Sequence, residues 1–204
     1  MCPLGMKRLM PAAEVERQFV DRMCEYLLSL PYDLKILQEA VTDPDLDKTA
    51  RLLAASTIVH TLLPQEGEPG PLRYVDDVLY VRAALHEIAT GDGEGATAFR
   101  ERFSGEVYAR LSDDLALFGS YLGELWPWLC GKLQSFGKLA LKGKKPVQAV
   151  DDDEVATLLY DEGLEFQTNY PVNEEQVRNK VRRGDQILEL LRKRYEDDKR
   201  KKIG

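Results

Sequence analysis

Histidine is nearly missing from this 204-residue chain: His60 and His86 are the only two, and neither falls in an HxxxH, HExxH or Cys/His cluster. A histidine-based metal centre therefore has little to be built from. Cysteine is scarce too. Cys2, Cys24 and Cys130 are odd in number, far apart and without a CxxC pair, which fits reduced thiols and neither a disulfide framework nor a zinc site. No GxSxG elbow occurs, and the glycine-rich Gly91-Asp92-Gly93-Glu94-Gly95 lacks the Gly-Lys-Ser/Thr that a phosphate loop needs, so it reads as a turn. No stretch sustains period-two alternation, so no strand of consequence is expected. The first twenty residues carry Lys7, Arg8, Glu14, Glu16 and Arg17, which leaves no apolar signal-peptide core. The expected location is the cytoplasm.

What is present is helical and charged. Hydrophobic residues make up 44% and charged residues 31%, as in an ordinary globular protein, and the formal net charge is −7. That average hides an asymmetry. Gln176 to Gly204 holds 11 Lys/Arg against 5 Asp/Glu, leaving 17 against 30 for the rest. An acidic body repels a phosphate backbone, so a general nucleic-acid binder is disfavoured. The basic C-terminal helix keeps open a second reading, an adaptor for nucleic acid or an anionic membrane surface.

Apolar spacing predicts a helix from Ala12 to Leu30, interrupted by Pro31, then another from Tyr32 to about Val41. Asp43-Pro44 reads as the cap and first turn of a third, running to about Leu63. Pro64 to Pro71 is a loop, and helix resumes near Tyr74 or Val75 as far as about Ala89. From Ala96 to Leu141 the pattern is helical, with a break expected at Pro127. Lys142 to Pro146 reads as a basic linker, Asp151 to about Glu165 as a shorter helix with an acidic first turn. Asn173 caps the last helix, with Gln176 in capping-box position. The expected architecture is an all-α bundle of five to seven helices: a core over 1–141, and over 142–204 a linker, a short helix and a basic helix packing on the core or on a second chain.

The segment Thr42 to Ile88 resembles the YkvA-like family of small bacterial helical domains of unknown function. Asp43-Pro44-Asp45 leads into Arg51-Leu52-Leu53-Ala54-Ala55, and the loop closes with Leu72-Arg73-Tyr74-Val75-Asp76-Asp77-Val78-Leu79. Two departures are visible: polar Gln65-Glu66-Gly67-Glu68 stands where the family has an apolar "DLIPD" run, and Arg73 stands where it has glycine. The resemblance implies a helical fold and no chemistry. It makes Tyr74, Asp76 and Asp77 a candidate family-motif site. The pair Asp76-Asp77 reads first as helix capping, and less readily as a cation site shared with Asp43, Asp45 or Glu68. Adjacent carboxylates diverge by about 100° on a helix, so the two cannot meet one ion unaided.

Two segments invite a partner. Leu115 to Gly131 reads LALFGSYLGELWPWLCG, with Glu124 its one charge. It is too short and too broken by proline and glycine for a good membrane span. A buried core helix divided at Pro127 is the first reading, and an interface anchored on Tyr121, Trp126 and Trp128 is the second. In the last helix, Val177, Val181, Gly184, Leu188, Leu191 and Tyr195 follow a heptad seam, so self-association as a homodimer is expected. The run after Tyr195 reads as a solvated, fraying end. No catalytic constellation and no cofactor motif is found. The sequence thus points to a non-enzymatic interaction or scaffold protein, with the adaptor reading behind it and a carboxylate-based metal protein third.

Overall fold

The computed structural model describes residues 12–64, 70–103 and 109–203, with side chains to 201. Most of the loop at 64–71, with Glu68, and Cys2 lie outside the described residues. The described chain is all-α: ten helices and no strand, so the all-α expectation holds while the count of five to seven is too low. The elements are α1 (Ala12–Thr42), α2 (Lys48–Leu62), α3 (Val75–Thr90), α4 (Glu94–Arg102), α5 (Leu111–Leu122), α6 (Leu125–Leu133), α7 (Pro146–Asp151), α8 (Asp153–Asn169), α9 (Glu174–Lys180) and α10 (Gly184–Ile203).

The long helix α1 is the axis of the fold. Phe19, Met23, Leu27, Leu30, Leu34, Leu37 and Val41 recur every three or four residues and are all buried. Helices α2 and α3 pack on it and on each other. Helices α7 and α8 cover α1 and α2, α5 and α6 flank α3, and α9 and α10 close against α1. Each of the ten helices contributes to one continuous apolar core, including Ala149, Leu159, Val177 and Leu191 from beyond residue 142.

Pro31 does not break α1, contrary to the expectation from its sequence. A proline inside a helix has no N–H to give the carbonyl four residues back, here that of Leu27. The Tyr170 hydroxyl donates to that carbonyl at 2.7 Å. The orphan acceptor is thereby satisfied from α8's end, and the helix continues. Tyr170→Phe keeps the ring and removes the donor, and is expected to cost about 1 kcal/mol in urea unfolding. In a Pro31→Ala background, where the restored backbone N–H takes the carbonyl, the same change is expected to cost much less. Equal costs in both backgrounds would sever the link between the two residues.

Other boundaries shift for similar local reasons. Helix α2 begins at Lys48, not at Pro44, because Asp47 accepts from the Ala50 N–H at 2.8 Å. Asp43 is buried instead, accepting from Asp45 N–H and pairing with Arg102 at 3.0 Å. The aromatic segment divides at Gly123, whose φ of 56° ends α5, whereas Pro127 sits inside the first turn of α6. There its missing N–H has no intrahelical acceptor to lose. The basic linker is a tight turn. Lys142 and Gly143 have φ of 49° and 79°, and the Leu141 and Lys144 backbones exchange two hydrogen bonds of 2.9 Å. The capping box of Asn173 and Gln176 forms as expected, but its helix ends at Lys180 and a separate helix starts at Gly184.

Candidate functional site

Tyr74, Asp76 and Asp77 sit where the 3-10 turn Pro71–Tyr74 feeds α3. Tyr74 is buried at the end of that turn, edge-on to Phe166 and tilted against Tyr170 with centroids 5.0 Å apart. Burial pushes its hydroxyl above the usual tyrosine range. The two aspartates diverge as helical geometry requires. Asp76 forms an ion pair with Arg194 of α10, which also reaches the Arg73 carbonyl at 3.4 Å. Asp77 places Oδ1 3.2 Å from His60 Nδ1. His60 is itself stacked on Phe136 at 3.9 Å and edge-on to Tyr80. The N-cap position itself is Tyr74, which gives no side-chain cap. Both carboxylates still lie in the first turn, where the helix dipole favours them.

Asp43 and Asp45, the expected partners of this pair, lie in the connection between α1 and α2, where Asp43 is held by Arg102. Among the described residues, no group of three or more His, Cys, Asp or Glu side chains could hold a metal ion. His86 is on the far side of α3's length from Asp77, with Nε2 3.1 Å from Ser112 Oγ. Burial lowers its pKa below the ordinary histidine value.

The residues expected to face a partner are largely covered by their own chain. Tyr121 stacks on Phe19 at 4.4 Å, and Trp126 sits over Gly119 and edge-on to Phe118. Trp128 packs on Tyr195 at 5.4 Å and donates from Nε1 to Asp198 at 3.2 Å. Asp198 also pairs with Lys132 at 3.0 Å. The run after Tyr195 is therefore helical and held at Asp198, while Lys199, Arg200 and Lys201 are solvated as expected. Val177, Val181 and Leu191 are buried in the common core, with Leu188 and Tyr195 half-buried against it. The N-terminus of α10 is met by Glu16 of α1, whose carboxylate accepts from the Gly184 N–H at 2.9 Å. In this chain the heptad seam faces the body.

Sequence reading missed a buried polar group at the heart of the fold. Asp33 of α1 and Arg82 of α3 pair at 2.6 Å with both side chains almost fully buried. Ser29 donates to Asp33 at 2.9 Å and accepts from Arg82 at 2.9 Å. The Arg82 guanidinium lies 3.7 Å from the Tyr26 ring centroid, and the Tyr26 hydroxyl donates to Asp114. Burial pushes the Asp33 carboxyl above the ordinary range, while Arg82 and Ser29 pull it down. These residues knit α1, α3 and α5. Their closure away from solvent marks them as structural.

What remains open to solvent lies elsewhere. Among the described residues, five large apolar side chains are exposed: Leu28, Tyr32, Val147, Tyr160 and Leu164. Four of these belong to α1 and α8, which pack side by side. Gly163 makes that approach possible, since a Cβ there would overlap the Gln38 amide. Gln38 in turn donates to the Tyr160 carbonyl and accepts from Gln167, both at 2.8 Å. Both helices turn their other sides to the core, so their exposed stripes lie on the outer side of one seam. Tyr32, 56% exposed, and Leu28 are four residues apart on α1; Tyr160 and Leu164 are four apart on α8. At the junction of α1, α2 and α8 a cavity of about 310 Å³ opens, lined by Val41, Ile58, Ala156, Leu159 and Tyr160 among others. The signal was present in the sequence as apolar residues off the buried stripe of each helix.

Among the described residues, no helix is long and apolar enough to cross a membrane. Comparison with protein-family models, with curated proteins and with solved structures gives no match to this chain.

Proposed function

We infer that the protein is a non-enzymatic interaction or scaffold protein, and that it works through the outer face of α1 and α8. The observation that carries this reading is the concentration of exposed large apolar side chains on that one face. The other aromatic and heptad residues that a partner would seek are packed against the chain itself. Exposed tyrosine and leucine beside a cavity supply the kind of anchor that protein interfaces use. The YkvA-like resemblance of 42–88 implies a helical fold and sets no activity against this.

The test is photo-crosslinking in the cells that make the protein, with a benzophenone side chain placed at position 32, at 164, or at the control position 180. Protein adducts at 32 and 164 with none at 180 are expected. An adduct of twice the chain's mass would name a second copy as the partner, docked through this face and not through the heptad seam. No adduct at either apolar position would overturn the reading.

A further inference from the structure

The chemistry around this face specifies what it receives. Helix α8 contains Asp153, Glu154, Asp161, Glu162 and Glu165 and has no lysine or arginine. Glu162 is held by Lys142 and the preceding Asp151 by Lys48. The remaining four are exposed, and none is in an ion pair among the described residues. Four exposed carboxylates outside any ion pair, with Glu165 in the field of Lys142, thus alternate with Tyr160 and Leu164 along about 18 Å of helix, at 1.5 Å per residue over Asp153 to Glu165. On α1, the exposed stripe continues through Arg17, Asp21, Glu25, Leu28, Tyr32 and Lys35, and Glu25 is held by Arg22 and Arg110, so this helix adds no net negative charge. The face is apolar along the middle and negative along its α8 edge. It would repel a nucleic acid or an anionic membrane.

Resting on the interaction reading above, we propose that the α1–α8 face binds a basic amphipathic helix of another protein. The helix lays an apolar stripe over Leu28, Tyr32, Tyr160 and Leu164 and sets one large apolar side chain into the cavity beside Tyr160. Lysines and arginines flanking its stripe meet Asp153, Asp161 and Glu165. A helix fits better than an extended segment because the docking surface is itself two helices with side chains repeating at four-residue steps, the spacing of helix-in-groove recognition. No strand edge is present among the described residues to pair with an extended chain.

The experiment uses the full-length protein and two synthetic 20-residue helices. Both carry the same leucine and tryptophan stripe; one has lysine and the other glutamate at every flanking position. Titration calorimetry at low salt is expected to show the lysine peptide binding at least 10-fold more tightly than the glutamate peptide. Raising the salt should weaken the lysine peptide alone. Leu164→Ser is expected to weaken it severalfold, as is Asp161→Lys combined with Glu165→Lys; all three positions are exposed, so folding is preserved. Equal binding of the two peptides, or no effect of these variants, would overturn the proposal. So would no binding by either peptide; if crosslinks at 32 and 164 still form, the interaction reading survives and the basic helix alone falls.

Discussion

Arg82→Met is expected to cost the fold about 3–5 kcal/mol, measured as the shift in urea unfolding at constant slope. The substitution keeps the length of the side chain and removes the charge that faces Asp33 at 2.6 Å. Asp33 is then left with Ser29 as its hydrogen-bond donor, deep between α1 and α3. An uncompensated carboxylate in such a place is the costly outcome, far more than the loss of one contact. The cation lying over the Tyr26 ring disappears with it. The double variant, Asp33→Leu with Arg82→Met, is expected to recover most of that loss. In the native pair, Asp33 Oδ1 and Arg82 Nε and Nη1 have no hydrogen-bond partner. An ion pair so incompletely satisfied repays little of its own desolvation. A single variant costing less than about 1 kcal/mol would contradict the burial of the pair.

Gly95→Ala is the second large expected loss, about 2–3 kcal/mol, at the upper end for overpacking. A Cβ on Gly95 would overlap the backbone carbonyl oxygen of Asp45. Backbone cannot turn aside as a side-chain tip can, so α4 would have to move off the start of α2. Phe99, fully buried on α4, and Arg102, which pairs with Asp43, would move with it. A fall in Tm of roughly 5–10 °C follows from the usual conversion for a chain of this size. Gly131→Ala is the matched control. It lies within α6 with nothing within 4 Å of the added atom. There alanine should leave stability unchanged or raise it by up to about 1 kcal/mol through helix propensity. Equal losses at both positions would refute the close approach at Gly95.

The contrast between these two glycines shows what could be read in advance. Periodicity located α3 almost to the residue, because Val75, Val78, Leu79, Val81, Leu85 and Ile88 recur at helical steps, all buried, and the pattern stops at a glycine. The Asn173–Gln176 box was legible because both members lie within one turn. Pro31 was misleading for the opposite reason. Its cost is local, but Tyr170, which relieves it, stands 143 positions beyond Leu27, whose carbonyl it takes. Pro127 and Gly123 competed for one break, and the outcome was set by the positive φ at Gly123, which no spacing encodes. At the candidate site, Asp76 and Asp77 stood out through the resemblance carried by Tyr74 to Asp77, but their partners Arg194 and His60 meet them only through tertiary packing. The apolar residues of the α1–α8 face had no motif. They were visible as leucines and tyrosines on the wrong side of an otherwise regular stripe.

The contacts between α1 and the last third of the chain have a consequence for the order in which the molecule is made. A ribosome delivers α1 first, yet Leu27 waits for Tyr170 and Glu16 waits for Gly184, 143 and 168 positions later. At ≈ 5–20 residues per second that is a delay of roughly ten to thirty seconds. During it, the sides of α1 that α8, α9 and α10 will cover remain bare to the surrounding solution, with Gln38 and the Leu27 carbonyl among them. Loops that close over such spans are slow to form and leave apolar surface open to wrong associations. The nascent chain is therefore expected to depend on chaperones more heavily than its modest length suggests, and a circular permutation that begins at Lys142 would shorten that exposure.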